Sequence, residues 1–220
     1  MNIEKRKIAD RIHLLIFDNN FDLASTFLRF QEYYESPEFK GKIFTLEEYK
    51  EWYIRNSKKG RETGEFTYYS DWGGFNIPSY VLDSFYEGKF NPLSEKEKLL
   101  LEQFKEKSHP FYILGVNRKK PNVEEYIEHE ANHGLFYIDE NYKNKVLETL
   151  EKFNISEIEQ ELLSNGYNKN SLKDEVHSHI IDKEWIFEAS LPQDLQKQLR
   201  EINSRYLFKH KVRYPIIKKK

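Results

Sequence analysis

An α+β fold is what this sequence predicts: a short mixed sheet in the N-terminal half, then a helix carrying His-Glu-x-x-His, then a helical C-terminal half. Three observations lead there. Runs rich in aromatic and β-branched residues, which read as strands, gather before about position 120. After Pro121, apolar residues recur at helical spacing in one segment after another. Ser/Thr-x-x-acid capping boxes open several of the intervening segments.

The elements follow in order. HLLIF at 13–17, KIF at 42–44, EFTYYS at 65–70 and FYILGV at 111–116 are the strand candidates. The segment 45–56 starts with Thr45-x-x-Glu48 and spaces Leu46, Tyr49, Trp52 and Tyr53 as a helix does. A second helix, 94–107, opens with Ser94-x-x-Glu97. SDWGGFNIPS at 70–79 reads as a turn with positive φ at Gly73 or Gly74 and with Trp72 and Phe75 buried. As an irregular segment it is also where a loop beside a cleft would fall. Asn122 is placed to cap the next helix, with Glu125 three residues on and an apolar stripe of Val123, Tyr126, Ile127, Ala131 and Leu135. Helices are expected over 140–153, 156–165, 171–182 (opened by Ser171-x-x-Asp174) and 192–208. The chain reads as one domain, 1–220: a mixed sheet and helix part to 108, a metal-site core over 109–183, and a C-terminal helix with a basic tail over 184–220.

Composition narrows the chemistry. The chain has 220 residues, enough for one domain with a true core, and 15% of them are aromatic, so Phe and Tyr must fill much of it. Charged residues make up 33% with a net charge of −2, a balance that argues against whole-surface attraction to nucleic acid or anionic membranes. There is no cysteine, so disulfides, thiol nucleophiles, iron–sulfur clusters and cysteine zinc sites are all excluded, and any metal must be held by His, Asp or Glu. No apolar run is long enough to cross a bilayer, and LLIF after Lys5, Arg6 and Lys7 is too short for a signal peptide, so a cytoplasmic protein is expected. Phosphate-binding glycine motifs and the GxSxG nucleophile elbow are missing.

What carries chemistry is YIEHEANHGLFY at 126–137. Residues four apart share one helix face, so His129 and His133 can direct two imidazoles at one ion, beside the buried stripe. Glu130 then lies to one side of that ion, where a general base can take a proton from water. Gly134 allows close packing beneath the metal or is a tolerated helix glycine. Catalytic zinc keeps three protein ligands, and the continuation HxxGxxH fails because Phe136 and Asp139 stand at those places. The downstream segment SLKDEVHSH offers Glu175 and His179, again four apart, while His177 points elsewhere. Leu172, Val176 and Ile180 make the buried side of that helix. Surface polarity is the reading favoured for His177; His13, His109 and His210 are expected to be structural or exposed.

HEANH at 129–133, followed some forty residues later by a helical glutamate, resembles the gluzincin branch of the zincin metallopeptidases. The resemblance spans about 110–183, and the pentapeptide is its specific part. It implies a small zincin-like domain, zinc held by His129, His133 and Glu175, Glu130 as general base, and a sheet whose edge strand aligns an extended peptide ahead of the helix. His179 stands where that family usually carries an acid, so His179 and His177 stay open beside Glu175 as third ligand, and Asp174 is the candidate acid behind a ligand. Tyr167, His177 and Tyr206 are candidate oxyanion donors.

The function expected is therefore a zinc-dependent metallohydrolase acting on a peptide or protein substrate. The alternative is a non-enzymatic interaction or assembly protein whose HExxH helix is structural. Lys209, Lys211, Arg213, Lys218, Lys219 and Lys220, interleaved with Tyr206, Phe208 and Tyr214, read as a solvated basic terminus rather than a nucleic-acid contact.

Overall fold

The computed structural model describes residues 3–165, 167–182 and 184–217. Two strands open the chain, β1 (Ile3–Ala9) and β2 (Ile12–Phe17), followed by helix α1 (Asn20–Glu35). Four short helices come next: α2 (Leu46–Asn56), α3 (Lys58–Thr63), α4 (Tyr68–Asp71) and, beyond strand β3 (Gly74–Pro78), α5 (Asp83–Tyr86). Helix α6 (Glu95–Phe104) precedes β4 (Tyr112–Asn117). The rest is helical: α7 (Val123–Ile138), α8 (Glu140–Leu150), α9 (Ser156–Ser164), α10 (Leu172–Ile181) and α11 (Gln193–Lys209). The class is α+β, as the sequence predicts.

The sheet has the order β1-β2-β4-β3. β2 and β4 run parallel at its centre, and β1 and β3 flank them antiparallel. Successive side chains of a strand point to opposite faces, and both faces of β2 and β4 are covered. Ile12, Leu14, Ile16, Tyr112, Leu114 and Val116 meet the C-terminal helices, with Val123, Ile127, Ala131 and Leu135 of α7 foremost. Leu15, Phe17 and Ile113 meet Phe27 and Phe30 of α1, with Phe104 of α6 in the same cluster. The expected stripe on α7 is thus the face that docks on the sheet.

Several expectations are corrected. Asn122 does not cap α7: it sits in the left-handed region at φ 52°, which asparagine tolerates, and its side chain makes no cap hydrogen bond. Ser171 does not cap α10 either. KIF is no strand, because Phe44 turns into the aromatic core while the backbone leads into the Thr45 capping box. EFTYYS is no strand: Phe66 and Tyr68 pack against Tyr49 and Tyr53, and a helical turn forms where Thr67 Oγ1 and the Tyr53 hydroxyl both donate to Asp71. Packing of the rings overrides strand preference there. GFNIP, expected as a turn, is strand β3; Gly73 and Gly74 have no positive φ, and Trp72 is 54% exposed while Phe75 is buried. Gly74 is required for another reason, since a Cβ there would lie 2.2 Å from the Tyr126 ring of α7. Pro78 ends the strand on the sheet edge, where a missing donor is harmless.

The short helices α3 and α5 escape the sequence reading, and so do two larger elements, β1 and α1. β1 carries Glu4, Lys5, Arg6 and Lys7, charges suited to an edge strand but hiding its periodicity. α1 is capped by Asn19, whose side chain accepts from the Asp22 N–H, and it buries Leu23, Ala24, Phe27, Leu28 and Phe30. The C-terminal segment is partly packed as far as Ile217, while Phe208, Lys209, Lys211, Arg213 and Ile216 stay exposed. The Arg213 N–H donates to the Ile8 carbonyl, Ile217 is buried, and Lys209 and His210 both reach Asp139. Lys218, Lys219 and Lys220 lie outside the described residues. Among the described residues no helix is long and apolar enough to cross a membrane.

Two buried polar groups mark this half of the molecule. Arg29 of α1 clamps Glu97 of α6 through Nε at 2.7 Å and Nη2 at 2.6 Å, and its Nη1 donates to the Phe90 carbonyl at 2.9 Å. His13 of β2 is buried edge-on against Phe104 and Phe111, and burial holds its pKa down at about 4.

Removing one partner of a buried ion pair strands the other charge. Arg29→Met is therefore expected to destabilise the fold by about 3–5 kcal/mol in urea unfolding, and adding Glu97→Gln recovers part of the loss. His13 must stay neutral when folded but takes a proton below about pH 6.5 when unfolded. Its contribution is intact above that pH and is lost as pH falls toward 4, by at most about 3 kcal/mol. The urea midpoint of His13→Gln is expected to vary less over this window than that of the wild type.

Candidate metal centre

The centre forms where α7 and α10 pack side by side. Val176 and Ile180 of α10 join Ile127, Ala131 and Leu135 of α7 in the core, which leaves Glu175 and His179 at the border beside the motif histidines. Among the described residues, His129 Nε2 and His133 Nε2 approach to 3.3 Å, and Glu175 Oε2 lies 3.6 Å from His133 Nε2. Two nitrogens bound at 2.0–2.1 Å to a tetrahedral ion sit roughly 3.3–3.4 Å apart. The two imidazoles therefore have the spacing that zinc requires, and the donor set of two nitrogens and a carboxylate suits it.

Each motif histidine is held from behind. His129 Nδ1 pairs with Asp182 Oδ2 at 2.8 Å. His133 Nδ1 lies 3.0 Å from Asp174 Oδ1 and 3.4 Å from Ser178 Oγ. The Asp182 carboxylate on His129 Nδ1 fixes that ring's tautomer and aims its Nε2 lone pair forward, while the buried Asp174 Oδ1 stands beside His133 as a charge rather than a hydrogen-bond partner. Burial opposes charge on His133, but the Asp174 and Glu175 carboxylates outweigh it and push its pKa well up. Burial also works against Asp174, yet His133 beside it draws its carboxyl down. Burial pushes the Glu175 carboxyl up, with Asp174 and Glu130 adding to it, while His133 opposes the shift. A cation at the Nε2 atoms would reverse that cost.

Glu130, 6% exposed, turns toward the sheet. Its Oε2 accepts from Asn76 Nδ2 of β3 at 2.6 Å, and Asn76 Oδ1 in turn accepts from the Tyr112 hydroxyl of β4 at 2.5 Å. Burial first and then the Glu130 carboxylate push the Tyr126 hydroxyl well above its ordinary range. The Asn76 N–H is taken by Gln31 Oε1 of α1 at 3.2 Å, and Gln31 Nε2 holds Glu35 at 2.6 Å. Protein packed around Glu35, and then the Glu130 and Glu175 charges, push its carboxyl up to about 7, although water reaches it through the adjoining cavity.

Two cavities, of about 550 and 510 Å³, flank the motif and share Lys120, Tyr126, His129, Glu130 and Tyr167 in their walls. The first reaches His179, Asp182 and Ile186; the second runs under Gly74–Asn76 to Glu32 and Glu35. The Tyr167 hydroxyl meets His179 Nε2 at 3.2 Å, and burial raises its pKa to about 12, so it remains a neutral donor. Burial and then the neighbouring His129 hold His179 down at about 3, leaving its ring neutral.

His177 corrects the sequence reading. It is not at the surface but fully buried behind Asp174, with Nδ1 2.6 Å from the Asp174 carbonyl, Nε2 3.3 Å from the Tyr142 hydroxyl and its ring stacked on Phe136. It therefore lines neither cavity. Tyr206 packs on Tyr142 and His210 and is likewise remote from an oxyanion position. Asp174 backs His133 instead of capping its helix. Gly134 is needed for packing, against the sheet rather than the metal: a Cβ would lie 3.0 Å from Ile12 and 3.2 Å from Tyr112.

Sequence reasoning misses Asp182 and Asn76. Asp182 follows Glu175 by seven residues, two helical turns, so the face it shares was readable from spacing. Asn76 could not be found without recognising β3. Carboxylates behind metal-binding histidines are commonly worth 10–100-fold in affinity. Asp182→Ala and Asp174→Ala are each expected to weaken zinc by about that factor in chelator competition, with Asp139→Ala, remote from the centre, leaving it unchanged.

No protein-family model, no curated protein and no solved structure matches this chain.

Proposed function

We propose that this chain is a zinc-dependent hydrolase of the zincin kind, cleaving peptide bonds. The observation that carries the reading is the 3.3 Å approach of His129 Nε2 to His133 Nε2, with Glu175 Oε2 3.6 Å from His133 Nε2 and Glu130 held under an antiparallel edge strand. His129, His133 and Glu175 would hold the ion. Zinc there supplies Lewis acidity, acidifying water and polarising a carbonyl.

The protein's own groups do the rest. Asn76 Nδ2 occupies one Glu130 oxygen, so the carboxylate keeps one orientation while its other oxygen takes a proton from the attacking water and returns it to the leaving amine. Tyr112, by donating to Asn76 Oδ1, fixes which end of that amide faces Glu130. Tyr167, neutral and on the walls of both cavities, is the donor available to a developing oxyanion. β3 is the edge strand, and Gly74, Phe75 and Asn76 line the second cavity, with the Asn76 N–H already taken by Gln31. Among the described residues, Glu32, Glu35, Asp71, Glu125, Glu128 and Glu184 line the cavities besides the centre's own acids, against Lys120 as the one lysine or arginine. This charge favours a segment carrying Lys or Arg.

Glu130→Gln is expected to bind zinc as the wild type does and to cleave about 10²–10⁴-fold more slowly, read by mass spectrometry on a mixed peptide library. His129→Ala is expected to lose the metal. Stoichiometric zinc in His129→Ala overturns the assignment.

A further inference from the structure

We propose that Lys120 is the group that receives a substrate carboxylate, carried by the residue just beyond the scissile bond. The proposal rests on the hydrolase reading and adds to it which peptide bonds are cut.

Lys120 stands on the wall shared by both cavities, beside Tyr126, His129 and Glu130. Its own stem holds it there. A Cβ on Gly73 would lie 3.2 Å from Lys120 Cδ and 3.4 Å from its Cγ, so the aliphatic chain crosses bare backbone just ahead of β3. Nζ then rests 4.4 Å from the centre of the Tyr126 ring. Burial pushes the pKa of this ammonium down, and the Glu130 charge opposes the shift.

Among the described residues no carboxylate comes within ion-pair distance of Nζ, although acids line both cavities. The nearby carboxylates are held elsewhere: Glu130 on Asn76, Glu35 on Gln31 and Glu32 on the Tyr68 hydroxyl. A half-buried ammonium without an anion has a desolvation cost that nothing offsets. An anion brought by the ligand is what it lacks.

Its place along α7 sets where on the substrate that anion lies. Tyr126 precedes Glu130 by one helical turn, about 5.4 Å. One extended residue spans about 3.3–3.6 Å and a charge-assisted N–H···O contact about 2.8 Å, roughly 6 Å together. Nζ over the Tyr126 ring is therefore about one residue from a carbonyl attacked beside Glu130. A chain terminus places its carboxylate at that separation, and an Asp or Glu side chain in the same residue is the other source. Between walls otherwise lined with acids, a carboxylate is tolerated at this one place.

The test measures kcat/KM of the full chain for a blocked tripeptide cut at its last bond. The peptide is prepared with a free terminal carboxylate, as the terminal amide, and as the amide with Asp in the last position. The wild type is expected to cut a carboxylate-bearing form about 10–100-fold faster than the plain amide, and the form preferred names the source of the carboxylate. Lys120→Met is expected to bring that ratio to within about twofold, while binding zinc as the wild type does in chelator competition. Lys120→Arg keeps a cation and is expected to retain part of the ratio. A wild type that cuts all the forms equally, or a Lys120→Met protein that keeps the wild-type ratio, overturns the proposal and leaves the hydrolase reading intact. A zinc-loaded wild type that cuts no peptide overturns both.

Discussion

The close docking of α7 on the sheet is the constraint on which the rest depends. Gly134 lets the helix approach until only hydrogen separates it from Ile12 and Tyr112, and Gly74 lets the Tyr126 ring lie flat on the edge strand. Larger residues at either place would lift the helix away. At that separation the Tyr112 hydroxyl reaches Asn76, and Asn76 reaches Glu130, so a chain of hydrogen bonds crosses from β4 through β3 to the motif. The position of Glu130 is thus a by-product of how tightly a helix sits on a sheet. Such a chain holds geometry well because each member has its partner and both ends, Tyr112 and Glu130, are buried.

The second support is electrostatic. Asp174 and Asp182 belong to α10 and its C-cap, and each pairs with a histidine of α7. The same contacts that orient the rings therefore bind one helix to the other. The apolar seam of Val176, Ile180 and Leu135 brings the helices together without choosing a rotamer, and the carboxylates then choose it. Behind them, Tyr142, Asn203 and Asn132 form a satisfied polar cluster, with Asn203 Nδ2 donating to both the Tyr142 hydroxyl and Asn132 Oδ1. His177 completes it from α10. A buried imidazole next to the centre is thus part of the frame, which is why its burial says nothing in favour of ligation.

Much of the layout was legible and the failures have identifiable physical causes. The helices at 46–56 and 95–104 announced themselves through capping boxes, which are local hydrogen bonds between residues three apart. Asn122 and Ser171 looked like the same signal but do not cap, since the chain enters α7 from a turn and α10 from a 3₁₀ segment. EFTYYS failed because aromatic rings suit a sheet surface and an aromatic cluster equally well, and only long-range packing chooses. GFNIP failed in the opposite direction: Gly73, Gly74 and Pro78 read as a turn, yet Gly74 and Pro78 are tolerated on an edge strand pressed beneath a helix. β1 hid because its charged residues face water at the other edge.

The sequence by itself determined what depends on the helical repeat. His129 and His133 share a face, Glu130 lies beside it, and Glu175 and His179 share a face one helix later, because 3.6 residues per turn leaves no other arrangement. Tertiary structure alone decided which of those faces meet. It set Glu175 against His133, turned His177 inward, brought Asp182 behind His129 and laid Asn76 on Glu130. Those pairings join residues tens of positions apart, and no local hydrogen bond or repeat encodes them. They follow from how apolar surfaces on two helices and a sheet fit together, and from which polar groups that fit leaves within reach of one another.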